Sequence, residues 1–413
     1  MLTGMINYCT NHIPMSTESG SWGNPYNLPY YPTYFDLLSS DLTIQHHDLD
    51  LIVVPSGRGA AHLKDVANLA ADIRSPLAVL CSQQTDIEET ADLLAHTGCG
   101  TWYAVDIPEG YEHPWLTFSA GKAAERNHGV NSESDLSLKR NIGLLLAEKV
   151  LFLDDDINIS QEAAVEIPLF LSRFDVVGGI NTGFPDSSVA YHALMELRNH
   201  HVYRYRVGRE RGSSNLSGNC MGVNTRRINS HFPDIYNEDW LFAYQTIRDR
   251  RAGLINARYS QAEYDPFKHP ERAAKEEFGE VIIQGLFDGL QHGLQTIPDE
   301  SAYWQQQLDK RRSLLETLHR TTALPFRRET RSIFQDMSKP PSPIGNSQAI
   351  AASLESAMAV NLRISATVCT DFIRQWQADE RRWAGDLQEF HSGPRRSVSD
   401  VLGYLGLTAY SDG

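Results

Sequence analysis

The sequence predicts a doubly wound α/β domain with a mainly parallel sheet, carrying a helical addition towards its C-terminal end, and three observations predict it. Between residues 49 and 156, short β-rich apolar runs alternate with stretches whose apolar residues recur at spacings of three and four. One run, Val150-Leu151-Phe152-Leu153, is continuously apolar, as a central strand covered on both faces must be. The last third of the chain returns to helical spacing, and no internal repeat interrupts it.

Taken in order, residues 1–47 are rich in Tyr, Pro, Asn and His without a sustained period, which predicts an irregular arm packed on something else. Residues 51–55 form the first strand, ending at Ser56-Gly57-Arg58-Gly59, and Leu63, Val66, Ala67, Ala70 and Ile73 mark the first helix. A second strand covers 77–81. Thr85, with Glu88 three residues on, has the spacing of a capping box and opens a helix that stops near Gly98. Residues 101–105 give a third strand. Ser134 or Asp135 caps a helix carrying Leu138, Ile142, Leu145 and Leu146 towards the core, and the strand at 150–156 follows. Beyond it the pattern predicts a strand at 176–180, a helix over 191–205, and a Gly/Ser/Asn-rich loop or strand–loop–strand unit over 208–225. Helices are expected over 236–251, 270–291 and 301–319. A Pro/Gly-containing linker covers 338–347, and helical character with Ala352, Leu354, Ala357, Leu362, Phe372, Trp376 and Trp383 covers 348–390.

A chain of 413 residues with 41% hydrophobic and 9% aromatic side chains supports one large α/β domain plus an addition and excludes a disordered polymer. Its 37 basic against 52 acidic residues give a net charge of -15, a field that repels polyanions, so no nucleic-acid partner is expected. The most apolar central run, residues 142–153, contains Glu148 and Lys149 and is too short and too charged for a transmembrane segment. The chain does not open on a basic region followed by an apolar core. The five cysteines are odd in number and dispersed, which fits a reducing compartment rather than a disulfide framework or zinc cluster. The expected location is cytoplasmic. No Walker A sequence or CxxC pair supports a phosphate-loop ATPase or a dithiol enzyme.

Ligands of doubly wound sheets bind beyond the carboxyl ends of the strands, where Asp154, Asp155 and Asp156 fall. Three adjacent carboxylates are costly if buried without partners. In a continuing strand, Asp154 and Asp156 project to one face and Asp155 to the other. Two carboxylates on one face can share a divalent cation, Mn2+ or Mg2+, that also holds phosphate oxygens. A solvated acidic turn is the competing reading.

Lys139-Arg140-Asn141-Ile142-Gly143 followed by Leu151-Phe152-Leu153-Asp154-Asp155-Asp156 resembles the nucleotide-sugar half of GT-A-fold glycosyltransferases, especially family 2-like enzymes. Ser217-Gly218-Asn219-Cys220-Met221-Gly222 and then Asn237-Glu238-Asp239-Trp240 are similar to the Gly-rich acceptor side and the Glu-Asp pair of that family. The resemblance covers roughly residues 49–290. It implies a GT-A-like catalytic domain over 48–292, with a nucleotide-sugar half at 48–160 and an acceptor half at 161–292, and a helical extension at 293–413. The implied substrates are a nucleotide-diphosphate sugar and a small-molecule or glycan acceptor.

By that resemblance Asp154 lies towards ribose or metal and Asp156 is a direct metal ligand, with Asp155 beside the donor. Pro55, Ser56 and Arg58 occupy the place of a base-binding loop. Many relatives carry an acid after the second strand; this chain has Cys81-Ser82 there, and Asp106 after the third strand is the substitute. Arg140 contacts phosphate or positions the aspartates, a role its guanidinium fork suits, whereas Lys139 has the position of a solvated helix face. Asp239 is the first choice for general base and Glu238 binds acceptor hydroxyls or exchanges roles with it. Trp240 is either core or a sugar platform, and Ser217, Gly218 and Asn219 offer the acceptor neutral hydrogen bonds. His269 completes the metal shell, with His292 in reserve, and Lys268 and Arg272 help hold diphosphate. The resemblance leaves inversion or retention of the anomeric centre open, with inversion slightly favoured, since some retaining relatives also combine an Asp-x-Asp with a downstream His; the C-terminal helices are a candidate homodimer surface. Two alternatives remain: a sugar-phosphate nucleotidyltransferase, suggested by Gly57-Arg58-Gly59, and a noncatalytic nucleotide-sugar-binding scaffold.

Overall fold

A computed structural model describes residues 49–122, 134–183, 187–200, 216–294, 296–322, 347–394 and 396–412. The expected arm over 1–47, the expected linker apart from Ser347, and Arg211, Gly212, Ser213, Ser214 and Asn215 lie outside the described residues.

Four apolar runs form the parallel part of the sheet: β1 (Leu51–Ser56), β2 (Leu77–Cys81), β3 (Trp102–Asp106) and β4 (Lys149–Leu153). They lie in the order β3-β2-β1-β4. On one face Ile52 and Val54 pack with Leu63, Val66, Ala67 and Ala70 of the segment leading into and forming α1 (Lys64–Asp72). On the other, Leu51 and Val53 pack with Ile142 and Leu145 of α3 (Ser134–Leu146). Each such fully buried aliphatic side chain contributes roughly 1.5–3 kcal/mol, and the alternation commits the sheet to helices on both faces.

The second half adds strands of both directions. β5 (Ile157–Ile159), β6 (Val176–Asn181), β7 (Cys220–Asn224), β8 (Ala252–Gln261) and β9 (Ala409–Ser411) complete a nine-stranded sheet of order β5-β8-β6-β7-β4-β1-β2-β3-β9 among the described residues. β7 runs antiparallel to β4 and to β6, and β6 is parallel to β8. The result is a GT-A-like doubly wound fold on a mixed sheet, parallel through its first half. β1 lies between β2 and β4, so the chain winds away from it on both sides, which creates the crevice where such sheets bind ligands.

Several local expectations are corrected. The N-cap of α2 (Ile87–His96) is Asp86, whose side chain accepts from the Glu88 and Glu89 amides, rather than Thr85. The Thr85 hydroxyl instead donates to Arg58 O at 2.6 Å and so ties down the loop after β1. β4 ends at Leu153, and Asp154–Asp156 form a turn closed by Ile157 N to Asp154 O at 3.2 Å. The alternating-face argument for the three aspartates therefore does not apply.

α4 (Gln161–Leu169) and α5 (Val189–His200) follow β5 and β6. α6 (Glu238–Arg248) is entered through Asn237 in the left-handed conformation (φ 66°), and α7 (Glu271–Gln291) follows β8. The C-terminal addition consists of α8 (Ser301–Thr322), α9 (Ser347–Asn361), α10 (Ala366–Ser392) and α11 (Val398–Tyr404). It is not a separate layer: Trp304, Trp376 and Trp383 enter one cluster with Phe242, Tyr244, Phe278 and Phe287. β9 then returns to pair with β3. Among the described residues no helix is long and apolar enough to cross a membrane, and Cys81, Cys99, Cys220 and Cys369 are buried free thiols.

Candidate functional site

The carboxyl ends of β1 and β4 open into a cleft of about 450 Å³. Pro55, Arg58, Asp154, Asp155, Asp156 and, from α3, Lys139 stand on its wall. The acids and bases there are arranged in pairs. Arg58 is ion-paired with Asp155 and lies 3.3 Å from Asp156, while Ser56 Oγ donates to Asp155 Oδ2 at 2.8 Å.

Arg140 is buried behind the cleft. Its guanidinium donates to Glu238 and, at 3.1 Å, to Asp154 Oδ1, and it lies over the Phe232 ring. Burial pulls the guanidinium down, but the carboxylates of Asp154 and Glu238 more than reverse that and hold it charged. Burial also raises the Asp154 carboxyl above its ordinary value, with Arg140 opposing. Gly218 is needed here for space: a Cβ at that position would overlap the Arg140 guanidinium.

Lys139 does not solvate the helix face. It is buried, donating from Nζ to Ser56 O at 2.7 Å and to Asp135 Oδ2 at 2.8 Å. Asp135, expected only as a cap, also accepts from Ser82 Oγ and Gln83 Nε2, each at 3.0 Å, and so fills the wall beside Cys81-Ser82 with an acid from α3. The i,i+4 pair Asp135/Lys139 was the signal available for it. Asp106, the proposed substitute, ends β3 beside Thr408 and is not on the cleft wall.

The opposite wall comes from the end of β8 and the start of α7. Gln261 Nε2 donates to Asp156 Oδ2 at 3.4 Å while its Oε1 accepts from Asn219 Nδ2 at 3.2 Å. Asn219 Oδ1 in turn accepts from Tyr259 at 2.9 Å. Gln261 was not found from the sequence because β8 itself was not. Arg272 lines this wall, stacked 4.5 Å from the Tyr264 ring centroid and held by Glu276 at 2.6 Å. Burial pushes Glu276 up to about 7 against the pull of Arg272.

The acceptor-side residues Ser217, Gly218, Asn219, Glu238, Asp239 and Trp240 are not on the cleft wall. Asp239 is half-buried and accepts from Gly218 N and Trp240 N, each at 2.8 Å; burial raises its carboxyl despite Arg140 and these amides. Trp240 is 8% exposed and packs edge-on against Phe287 in the core. Ser217 is buried. His269 is 64% exposed, faces Glu271 at 3.4 Å, and is not on the cleft wall. His292 is exposed beside Asp288 at the far end of α7.

Among the described residues no three His, Cys, Asp or Glu side chains gather as a metal cluster. Two carboxylates nevertheless suit a divalent cation. Asp154 and Asp156 both line the cleft, and Asp156 Oδ1 is buried without a hydrogen-bond partner. Magnesium-like ions commonly take one or two carboxylates and complete their shell with water and substrate phosphate.

No family model and no curated protein matches the chain. Among solved structures, S. aureus TarS 1-349 is similar over 76% of this chain and 90% of its own, at 15% identity and a TM-score of 0.35. Its complex with UDP-GlcNAc is similar over 76% and 91%, at 13% identity and 0.34. The galactosyltransferase LgtC with donor and acceptor sugar analogues is similar over 63% of this chain and all of its own, at 13% identity and 0.27. At these identities and scores the likenesses are slight.

Proposed function

We propose that the chain transfers a sugar, a hexose, from a nucleotide-diphosphate sugar to the hydroxyl of a small-molecule or glycan acceptor. One observation carries this reading: at the switch point of the sheet, five carboxylates (Asp135, Asp154, Asp155, Asp156 and Glu263) and the cations Arg58, Lys139 and Arg272 line one cleft. A diphosphate needs both signs there, cations for its own oxygens and acids to hold the metal it brings.

Asp154 and Asp156 hold Mn2+ or Mg2+ in this reading, and the ion neutralises charge on the departing diphosphate. Arg272, braced by Glu276, offers the diphosphate a fixed guanidinium. The loop Pro55-Ser56-Gly57-Arg58, with Asp135 across from it, receives the nucleoside. Glu238 is held by Arg140 and orients the acceptor side, leaving Asp239 to take the acceptor's proton as its hydroxyl attacks with inversion. A positioned base of this kind supplies about 10²–10⁴-fold in rate.

Calorimetric titration with UDP, GDP and ADP, with and without manganese, tests the donor site. Asp156→Asn should weaken manganese-dependent binding by about tenfold or more, the loss of one charge-assisted contact, and leave the melting temperature unchanged. Equal affinity in both proteins defeats the assignment. A screen of nucleotide sugars with anomeric analysis then separates the alternatives. Pyrophosphate release from sugar phosphate and nucleoside triphosphate indicates a nucleotidyltransferase, and nucleotide binding with neither transfer nor donor hydrolysis indicates a scaffold.

A further inference from the structure

The C-terminal helices reach the candidate catalytic loop through one buried chain of polar contacts. Arg311 of α8 is 2% exposed and donates to Glu277 at 2.8 Å and to Glu280 Oε2 at 2.9 Å, both on α7. Glu277 is further fixed by Asn361, the last residue of α9, at 2.9 Å. The other oxygen of Glu280 accepts from Asn237 Nδ2 at 3.0 Å.

Asn237 is the residue that turns the chain into Glu238 and Asp239. Its left-handed backbone (φ 66°) aims the first turn of α6, its carbonyl accepts the Leu241 amide at 3.2 Å, and its side chain makes no cap bond to that helix. The side chain is committed to Glu280 instead. Directly beyond it, Glu238 holds Arg140, Arg140 holds Asp154, and Asp239 accepts from Gly218. The close approach of α7 fixes the same corner from below, since a Cβ at Gly279 would overlap the Tyr236 carbonyl.

We infer that Arg311 and Glu280 are positioning residues for the Glu238–Asp239 pair, so that the helical extension completes the active site rather than decorating it. The catalytic meaning of this link rests on the glycosyltransferase reading, but the link itself does not. Arg311 touches neither acid. It fixes the Glu280 carboxylate, which fixes the Asn237 amide and with it the angle at which the acidic pair meets Arg140 and Gly218 behind the cleft. A left-handed Asn costs little by itself, and the Glu280 contact adds a side-chain anchor to the backbone and carboxylate contacts that hold this corner.

The test is amide hydrogen exchange on the full chain, followed in peptides spanning residues 216–220 and 237–242, with thermal melting beside it. Asn237→Gly keeps the left-handed backbone accessible and removes only the side-chain link. It should speed exchange in both peptides by about tenfold, the scale of one lost hydrogen bond to a charged group. Glu280→Ala should do the same, whereas Glu280→Gln keeps an acceptor for Asn237 and should restore slow exchange. Combining Asn237→Gly with Glu280→Ala should add little, because both cut one link. Lys310→Met, on the same helix but outside the chain of contacts, should change nothing. Arg311→Lys should resemble Glu280→Ala if it folds, and the Asn237 and Glu280 variants decide the matter if it does not. Wild-type exchange rates in Asn237→Gly, or no difference between Glu280→Gln and Glu280→Ala, would overturn the inference. Once a donor is identified, the same variants should lower kcat while leaving nucleoside-diphosphate affinity intact; loss of affinity alone would also overturn it. Absence of UDP, GDP or ADP binding in the wild type, with the exchange pattern as expected, removes the glycosyltransferase reading and leaves the link standing.

Discussion

Replacing Arg140 by Met removes one guanidinium and leaves two carboxylates facing each other in its place. The Arg140 side chain is 4% exposed, Glu238 6% and Asp154 23%, so Glu238 in particular cannot recover hydration where it stands. Breaking a buried pair by deleting one partner costs about 3–5 kcal/mol, most of it the penalty of the uncompensated charge left behind. Arg140→Met should therefore fall in that range in urea unfolding at neutral pH. If the penalty is charge and not lost packing, Arg140→Met combined with Asp154→Asn and Glu238→Gln should recover most of it. Lowering the pH should narrow the gap as well. Without the cation both carboxyls take up protons at higher pH in the folded state than in the unfolded one, so the variant gains relative stability as it protonates. A cost below about 1 kcal/mol, the scale of an exposed pair, would refute the reasoning. So would a triple variant no more stable than the single one.

Gly218→Ala should act on the same guanidinium by displacement: its methyl overlaps Arg140, so a loss of about 1–3 kcal/mol is expected in the melt, with weakened donor binding. His269→Ala should leave the manganese concentration for half-maximal turnover unchanged, because that imidazole is exposed and turned to Glu271; a rise would return it to the metal shell. The pH profile of transfer should have its acid limb above the ordinary carboxylate range, since burial raises the Asp239 carboxyl and only its ionised form accepts a proton. The same shift makes Asp239→Asn relatively more stable than wild type above that limb, the buried charge being absent, while it loses transfer. An acid limb unchanged by Asp239→Asn would assign the base elsewhere.

The first half of the fold was legible because its strands are buried on both faces and its helices are amphipathic, so each element announces itself locally. β8 was not, because Asn256, Arg258 and Ser260 break up its apolar residues, and buried positions alternate with exposed ones only from Ile255 to Tyr259. β9 has three residues and is held by its partner β3 rather than by its own pattern. The acidic turn was located correctly as a place but not as a geometry, since no local signal says where β4 stops. Thr85 shows the same limit on a smaller scale. Its spacing to Glu88 fits a cap, but the loop after β1 claims the hydroxyl, and Asp86 takes the helix.

Partner choice across the cleft was less legible for a reason that bears on mechanism. Arg140 meets Glu238 across 98 residues and Arg58 meets Asp155 across 97, distances over which no periodicity operates. The two arginines nevertheless differ in kind. Arg140 is locked between carboxylates, stacked over Phe232 and shielded by Gly218, so it belongs to the scaffold and sets where Asp154 and Glu238 stand. Arg58 has a side chain 43% exposed on the open wall, where it is paired with Asp155 and Asp156. On the proposed function, an arriving diphosphate would offer Arg58 new oxygens, and each one it took would leave Asp156 freer for a cation. Donor and metal should then enter together, with the exposed Arg58 side chain turning to the donor as Asp156 turns to the ion.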